Sequence, residues 1–247
     1  MWGRRAAHDM VAVKRIISPV APTLPSNKGL SLVEQRTNDL IAYQSQAYAD
    51  QYNTFIEKIC AAEAKAVPKN TGFSEAVSKS LYKLMAYKDE YEIARLYSDG
   101  NFKKAIGRQF QDGGKIKYHL APPFLSSRNP ETGHLIKREF GSWIFPLFKI
   151  LASLKGLRGG SFDPFGFIEE RKMERQLIQD YRTLVEDVLK TLCDKNKNLA
   201  IEIISLALDI RGYGHVKMDN IEKVIARQDM LLKAYNDDET ANLVAAE

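Results

Sequence analysis

Apolar residues in this chain recur at intervals of three and four, and almost nowhere alternate one by one. Ile41, Tyr48, Tyr52, Phe55 and Ile59 fall on one helical face, as do Val77, Leu81 and Leu84, and later Leu177, Tyr181, Leu184 and Val188. A chain patterned in this way buries stripes of helices against one another. The 247 residues, 45% of them hydrophobic, are enough for a substantial core. We therefore expect a mainly α, multi-helix bundle-like domain of about six helices, with no internal repeat and no sustained heptad.

The punctuation divides the chain further. Residues 2–17 have helical spacing, and "SPVAPTLPSNKG" after them reads as a linker, so 1–28 form a junction helix and Pro-rich linker. Ser31 and Glu34 match a capping box, which predicts a long helix running to about Lys65. A second long helix is expected over 74–98, a very apolar one over 142–154, and one launched by Asp163 and Pro164 over 164–192. A further helix over 197–210 is followed by "RGYGHVK", and Asp219 with Glu222 caps a last helix to about Tyr235. The helical domain thus spans 29–236, and residues 237–247 read as a frayed acidic tail. Between about 99 and 141 the texture is irregular, with "DGG" as a turn, "KIKYHL" as a short strand and room for a β hairpin.

In the helix expected over 74–98, the stripe of Val77, Leu81 and Leu84 continues into Lys88, Glu92 and Arg95. Two arrangements fit. Either these three charges form a partly buried network, or the stripe drifts to Tyr87, Tyr91 and Ala94 and leaves them in water.

The net charge of +5 is uneven. From Asn101 to Gly160 there are 11 Lys/Arg against 3 acids, an excess of 8 in a region where aromatic residues interleave with basic ones. No nucleic-acid motif accompanies this pattern, which argues against nucleic acid as the partner. No apolar run approaches the ~20 residues that cross a bilayer, since Lys149 stops "FGSWIFPLF". With no secretory pattern at the start, a cytoplasmic protein is expected. Cys60 and Cys193 are too few for a thiolate cluster, and the four histidines show no ligand spacing, so no metal site is expected. "GLRGG" lacks the lysine and hydroxyl of a phosphate loop, and no catalytic residue is singled out.

Five stretches together carry a resemblance: "WGRRAAHD" (2–9), "LYKLMAYKDEYEIARLY" (81–97), "HLAPPFLSSRNPETGHLIKREFG" (119–141), "LKGLRGGSFDPFG" (154–166) and "IRGYGHVK" (210–217). In order, and over nearly the whole chain, they resemble the carboxy-terminal helical region of bacterial indolepyruvate ferredoxin oxidoreductases, in the 2-oxoacid:ferredoxin oxidoreductase family. In those long enzymes the first stretch lies at the junction after the gamma-type domain, so the resemblance implies a separately encoded or truncated piece. It implies, for the complete enzyme, thiamine diphosphate, Mg²⁺, iron–sulfur clusters, coenzyme A as acyl acceptor and ferredoxin as electron acceptor. The thiamine diphosphate and cluster motifs do not occur in this chain. Two roles follow as expectations: a non-catalytic part that packs on or gates the thiamine diphosphate and gamma-type domains, or a free-standing helical binding module. In the first, Lys137, Arg138, Lys155 and Arg158 are candidates to meet coenzyme A phosphates or the interface.

Overall fold

The computed structural model describes residues 30–68, 71–109, 115–122 and 136–244. The expected junction helix, the Pro-rich linker and the "DGG" turn lie outside them. Among the described residues there are nine α-helices and one two-stranded antiparallel sheet. The helices are α1 (Leu32–Tyr43), α2 (Gln46–Ala66), α3 (Gly72–Met85), α4 (Glu90–Ser98), α5 (Asn101–Gln109), α6 (Phe145–Ser153), α7 (Glu169–Lys190), α8 (Lys197–Ser205) and α9 (His215–Val244). Strands β1 (Tyr118–Leu120) and β2 (Arg138–Phe140) pair Tyr118 with Phe140 and Leu120 with Arg138. The mainly α class with a small β pair is as the apolar spacing requires.

Two apolar clusters form. The larger gathers α1, α2, α3, α7, α8 and α9 around Tyr52, Ile59, Phe73, Val77, Leu81, Val185 and Ile204. The smaller is aromatic: Tyr97 of α4, Tyr118 of β1 and Phe148 of α6 meet with ring centroids 5.1–5.4 Å apart, and Phe102 of α5 lies 4.8 Å from Tyr97.

Four expected boundaries move. The first long helix breaks at Gln44, since the Ser45 side chain accepts the Tyr48 N–H and starts α2. The helix expected over 74–98 is two, α3 and α4. Asp89 accepts the Glu92 N–H as the cap of α4, while the hydroxyls of Tyr48 and Tyr43 donate to the carbonyls of Met85 and Tyr87 in the break. Asp163 does not cap a helix at Pro164, and α7 begins only at Glu169. The last helix starts a turn earlier than Asp219 and runs past Tyr235 to Val244. Gly212 at φ +95° gives the chain its sharp entry into α9.

Lys83 closes one end of α8. Its ammonium donates to the carbonyls of Ala207 and Leu208 in the 3₁₀ turn Leu206–Asp209. Burial, and then the nearby Arg211 charge, bring its pKa down to about 8 from 10.5. In that window the unfolded chain binds more protons than the folded one, so the cost of charging Lys83 is full below pH 8 and fades as pH rises toward 10.5. Competitive acetylation across a pH series should therefore give Lys83 a midpoint near 8, well below exposed Lys190, whose pKa the Asp187 carboxylate raises. A midpoint shared with Lys190 would contradict this placement.

Candidate docking surface

The segment from Ser142 to Ile168 rests on a bed of interior charge. Arg158 is its anchor. Its guanidinium forks onto Asp89, with Nε 2.5 Å from Oδ2 and Nη2 2.8 Å from Oδ1, and its Nη1 donates to the Tyr43 carbonyl at 2.7 Å. The side chains of both ions are 2–3% exposed. The Tyr43 ring lies under the guanidinium, 3.7 Å from Cζ. Burial works against the charge of Arg158, but the Asp89 carboxylate more than offsets it and raises the guanidinium's pKa above the ordinary value.

Asp163 fixes the loop that follows. Its carboxylate accepts from the Gly159 N–H at 2.7 Å, the Phe165 N–H at 3.0 Å and the Tyr91 hydroxyl at 2.9 Å. Gly159 takes φ +73° here. Arg175 adds a hydrogen bond to the Gly166 carbonyl. Beside this bed, Arg171 reaches Glu90 at 3.2 Å and Glu174 at 3.8 Å, and Glu174 also takes Lys217. The charges link α4, α7 and α9 to the loop.

What this bed presents outward is apolar. On α6 and the turns flanking it, Ile144 and Phe148 point into the aromatic cluster. Trp143, Leu147, Ile150 and Leu154, spaced by four, three and four, form a second stripe on the opposite side, and Trp143 and Ile150 are 69% and 59% exposed. The rigid loop beyond adds Phe162, 85% exposed, and Phe167. A helix apolar nearly all round is ordinarily buried. Here half of it faces solvent, and such contiguous patches mark interaction sites. Lys149 flanks the stripe, its ammonium 5.1 Å from the Phe145 ring. Exposed Lys137 and Arg138 precede Phe140, whose ring lies 5.9 Å from that of Trp143.

The four candidate phosphate cations are not brought together. Lys137 and Arg138 are exposed at β2, whereas Lys155 donates to the last-turn carbonyls of α1, Ile41 at 3.1 Å and Ala42 at 2.6 Å. Arg158 is consumed by Asp89. A phosphate could not reach it without leaving Asp89 buried and unpaired. Of the two arrangements open for Lys88, Glu92 and Arg95, the structure takes part of each: Glu92 and Arg95 form a partly buried pair without Lys88. Arg95 forks onto Glu92 at 2.7 and 2.8 Å, while Lys88 is exposed and lies 5.3 Å from the Tyr213 ring. The buried face runs instead through Tyr87, Tyr91 and Ala94, because the break at Asp89 rotates α4 away from the register of α3.

Sequence reasoning missed Asp89, the hydrogen bond from Tyr91 to Asp163 and the role of Asp163. One signal was present: Asp89 and Glu92 have the spacing of a helix-start motif, inside a stretch that reads as continuous helix.

Among the described residues no group of three or more His, Cys, Asp or Glu side chains is placed to hold a metal ion. Cys60 is exposed on α2 and Cys193 is half-buried after α7, so the chain's two thiols do not fit an iron–sulfur cluster, which takes four ligands. No helix of the described residues is long and apolar enough to cross a membrane. The candidate site is an exposed apolar surface set over buried ion pairs. No curated protein and no solved structure matches the chain. A family model does, over residues 30–230, which takes in every helix from α1 to α8 and about half of α9, and the chain belongs to that family, a family of unknown function (DUF6537).

Proposed function

We propose that this chain is a non-catalytic docking domain, which packs the outward face of α6 and the Phe162–Phe167 loop against the catalytic domains of a cytoplasmic 2-oxoacid:ferredoxin oxidoreductase-like enzyme. The observation that carries the docking role is the solvent-facing stripe of Trp143, Leu147, Ile150 and Leu154 on a helix whose other side is fully engaged. Rigidly held aromatic residues are the usual anchors of protein interfaces. Lys137, Arg138 and Lys149 at its margin favour a partner whose apolar floor is edged by carboxylates. The five-stretch resemblance supports indolepyruvate ferredoxin oxidoreductase as the kind of enzyme. Thiamine diphosphate, Mg²⁺, the iron–sulfur clusters and the coenzyme A site then belong to the partner domains, since the residues here do not fit them.

The test is affinity capture of the tagged chain from its native lysate, followed by mass spectrometry. Recovery of a protein carrying thiamine diphosphate and iron–sulfur domains is the expected result. Recovery of nothing, or only of proteins without those domains, would overturn the oxidoreductase assignment. In the second case the face would belong to a free-standing binding module.

A further inference from the structure

Away from α6, helices α2 and α7 line an open groove of about 500 Å³, with Asp50, Thr54, Phe55, Lys58, Arg182 and Glu186 among its residues. Its charged residues are mostly matched. Lys58 holds Glu186 at 2.7 Å, and Gln46 donates to Asp50 at 2.8 Å. Arg182 is the exception. It makes no hydrogen bond and no ion pair with any described residue, although its Nε and Nη2 are shielded from solvent. The Phe55 ring lies 5.5 Å from its Cζ. Arg182 as a whole is half-buried, and a shielded N–H without an acceptor is costly. Burial also pulls its pKa below the ordinary range, against the opposing fields of Tyr48 and Glu186. The fold thus holds a planar, five-donor fork beside a groove and supplies it with no acceptor.

We propose that the groove binds a small organic carboxylate, with its two oxygens on the Arg182 fork and its apolar body along the Phe55 side. Two features select this ligand. A carboxylate matches the guanidinium bidentately. The lining as a whole is neutral, with Asp50 and Glu186 against Lys58 and Arg182, so a monoanion on the fork adds a single negative charge, whereas a phosphate dianion would add two beside two carboxylates. No hydrogen bond ties Arg182 in place, so its long stem can turn the fork toward the groove. This assignment is independent of the docking role of α6.

The experiment is titration of the ¹⁵N-labelled full chain with sodium benzoate at constant ionic strength, with inorganic phosphate in parallel. Benzoate should give saturable shifts confined to amides of 47–58 and 182–186. Arg182→Met should weaken its binding by at least about tenfold, the loss of charged hydrogen bonds, while melting no lower than the parent. Phosphate should give no saturable shift. Arg182→Lys, which keeps the charge and loses the fork, should also bind more weakly. Absence of a saturable benzoate shift, a shift that persists in Arg182→Met, or equal binding of phosphate would each overturn the proposal.

Discussion

Arg158→Met should destabilise the fold by about 3–5 kcal/mol, measured from the urea unfolding midpoint, because it strands Asp89 as an unpaired carboxylate in the interior. The two side chains are 2–3% exposed, so water cannot take the place of the lost guanidinium. The loss extends beyond the ion pair. Arg158 also donates to the Tyr43 carbonyl and stacks on the Tyr43 ring, and in doing so fastens the 142–168 segment to α1 and to the start of α4. The double variant Asp89→Asn/Arg158→Met should recover part of the loss, since the buried charge goes with its partner. A midpoint unchanged in Arg158→Met would show that the pair is solvated. A double variant no better than the single would place the loss in the Tyr43 contacts alone.

Glu63→Ala should cost about 2–4 kcal/mol, the penalty for two buried amides left without an acceptor. Glu63 lies in the last turns of α2, buried, and its carboxylate accepts the N–H groups of Phe73 at 2.8 Å and Ser74 at 2.9 Å. These amides belong to the first turn of α3, where Thr71 makes no side-chain cap, so Glu63 acts as a cap from another helix. The negative charge also meets the positive end of the α3 dipole. Glu63→Gln keeps one acceptor oxygen and should fall between the parent and the alanine variant. Amide exchange should identify the site directly, with protection lost first at Phe73 and Ser74. Equal stability of parent and Glu63→Ala would contradict this account.

The helices and their core faces were legible because the three-and-four spacing survives wherever a stripe is buried, as at Val77, Leu81 and Leu84. The breaks were harder to see. Ser45 and Asp89 each start a helix inside a stretch that reads as one helix, and helical spacing alone does not register an interruption of two or four residues. Long-range polar pairs were invisible for another reason. Arg158 and Asp89 are 69 positions apart, and a cation in a basic stretch reads as available for a ligand until its partner is placed in space. Arg158 was thus a candidate for the right segment and the wrong task. The outward face of α6 was hidden by its own composition, since "FGSWIFPLF" reads as core on both sides. Only the position of the helix at the surface shows that one side lacks a partner.

The measurement that tests the central claim most directly pairs a thermal melt with affinity capture for Leu147→Glu/Ile150→Gln. Both side chains lie on the outward stripe, clear of the aromatic cluster, so melting should stay close to that of the parent, as for surface substitutions within about 0.5 kcal/mol. The captured partner should be lost, because a buried charge and amide on that face would have no counterpart in an apolar floor. A cooperative loss of folding would mean that the stripe belongs to the core of this domain, and undiminished capture by a folded variant would mean that the docking surface lies elsewhere.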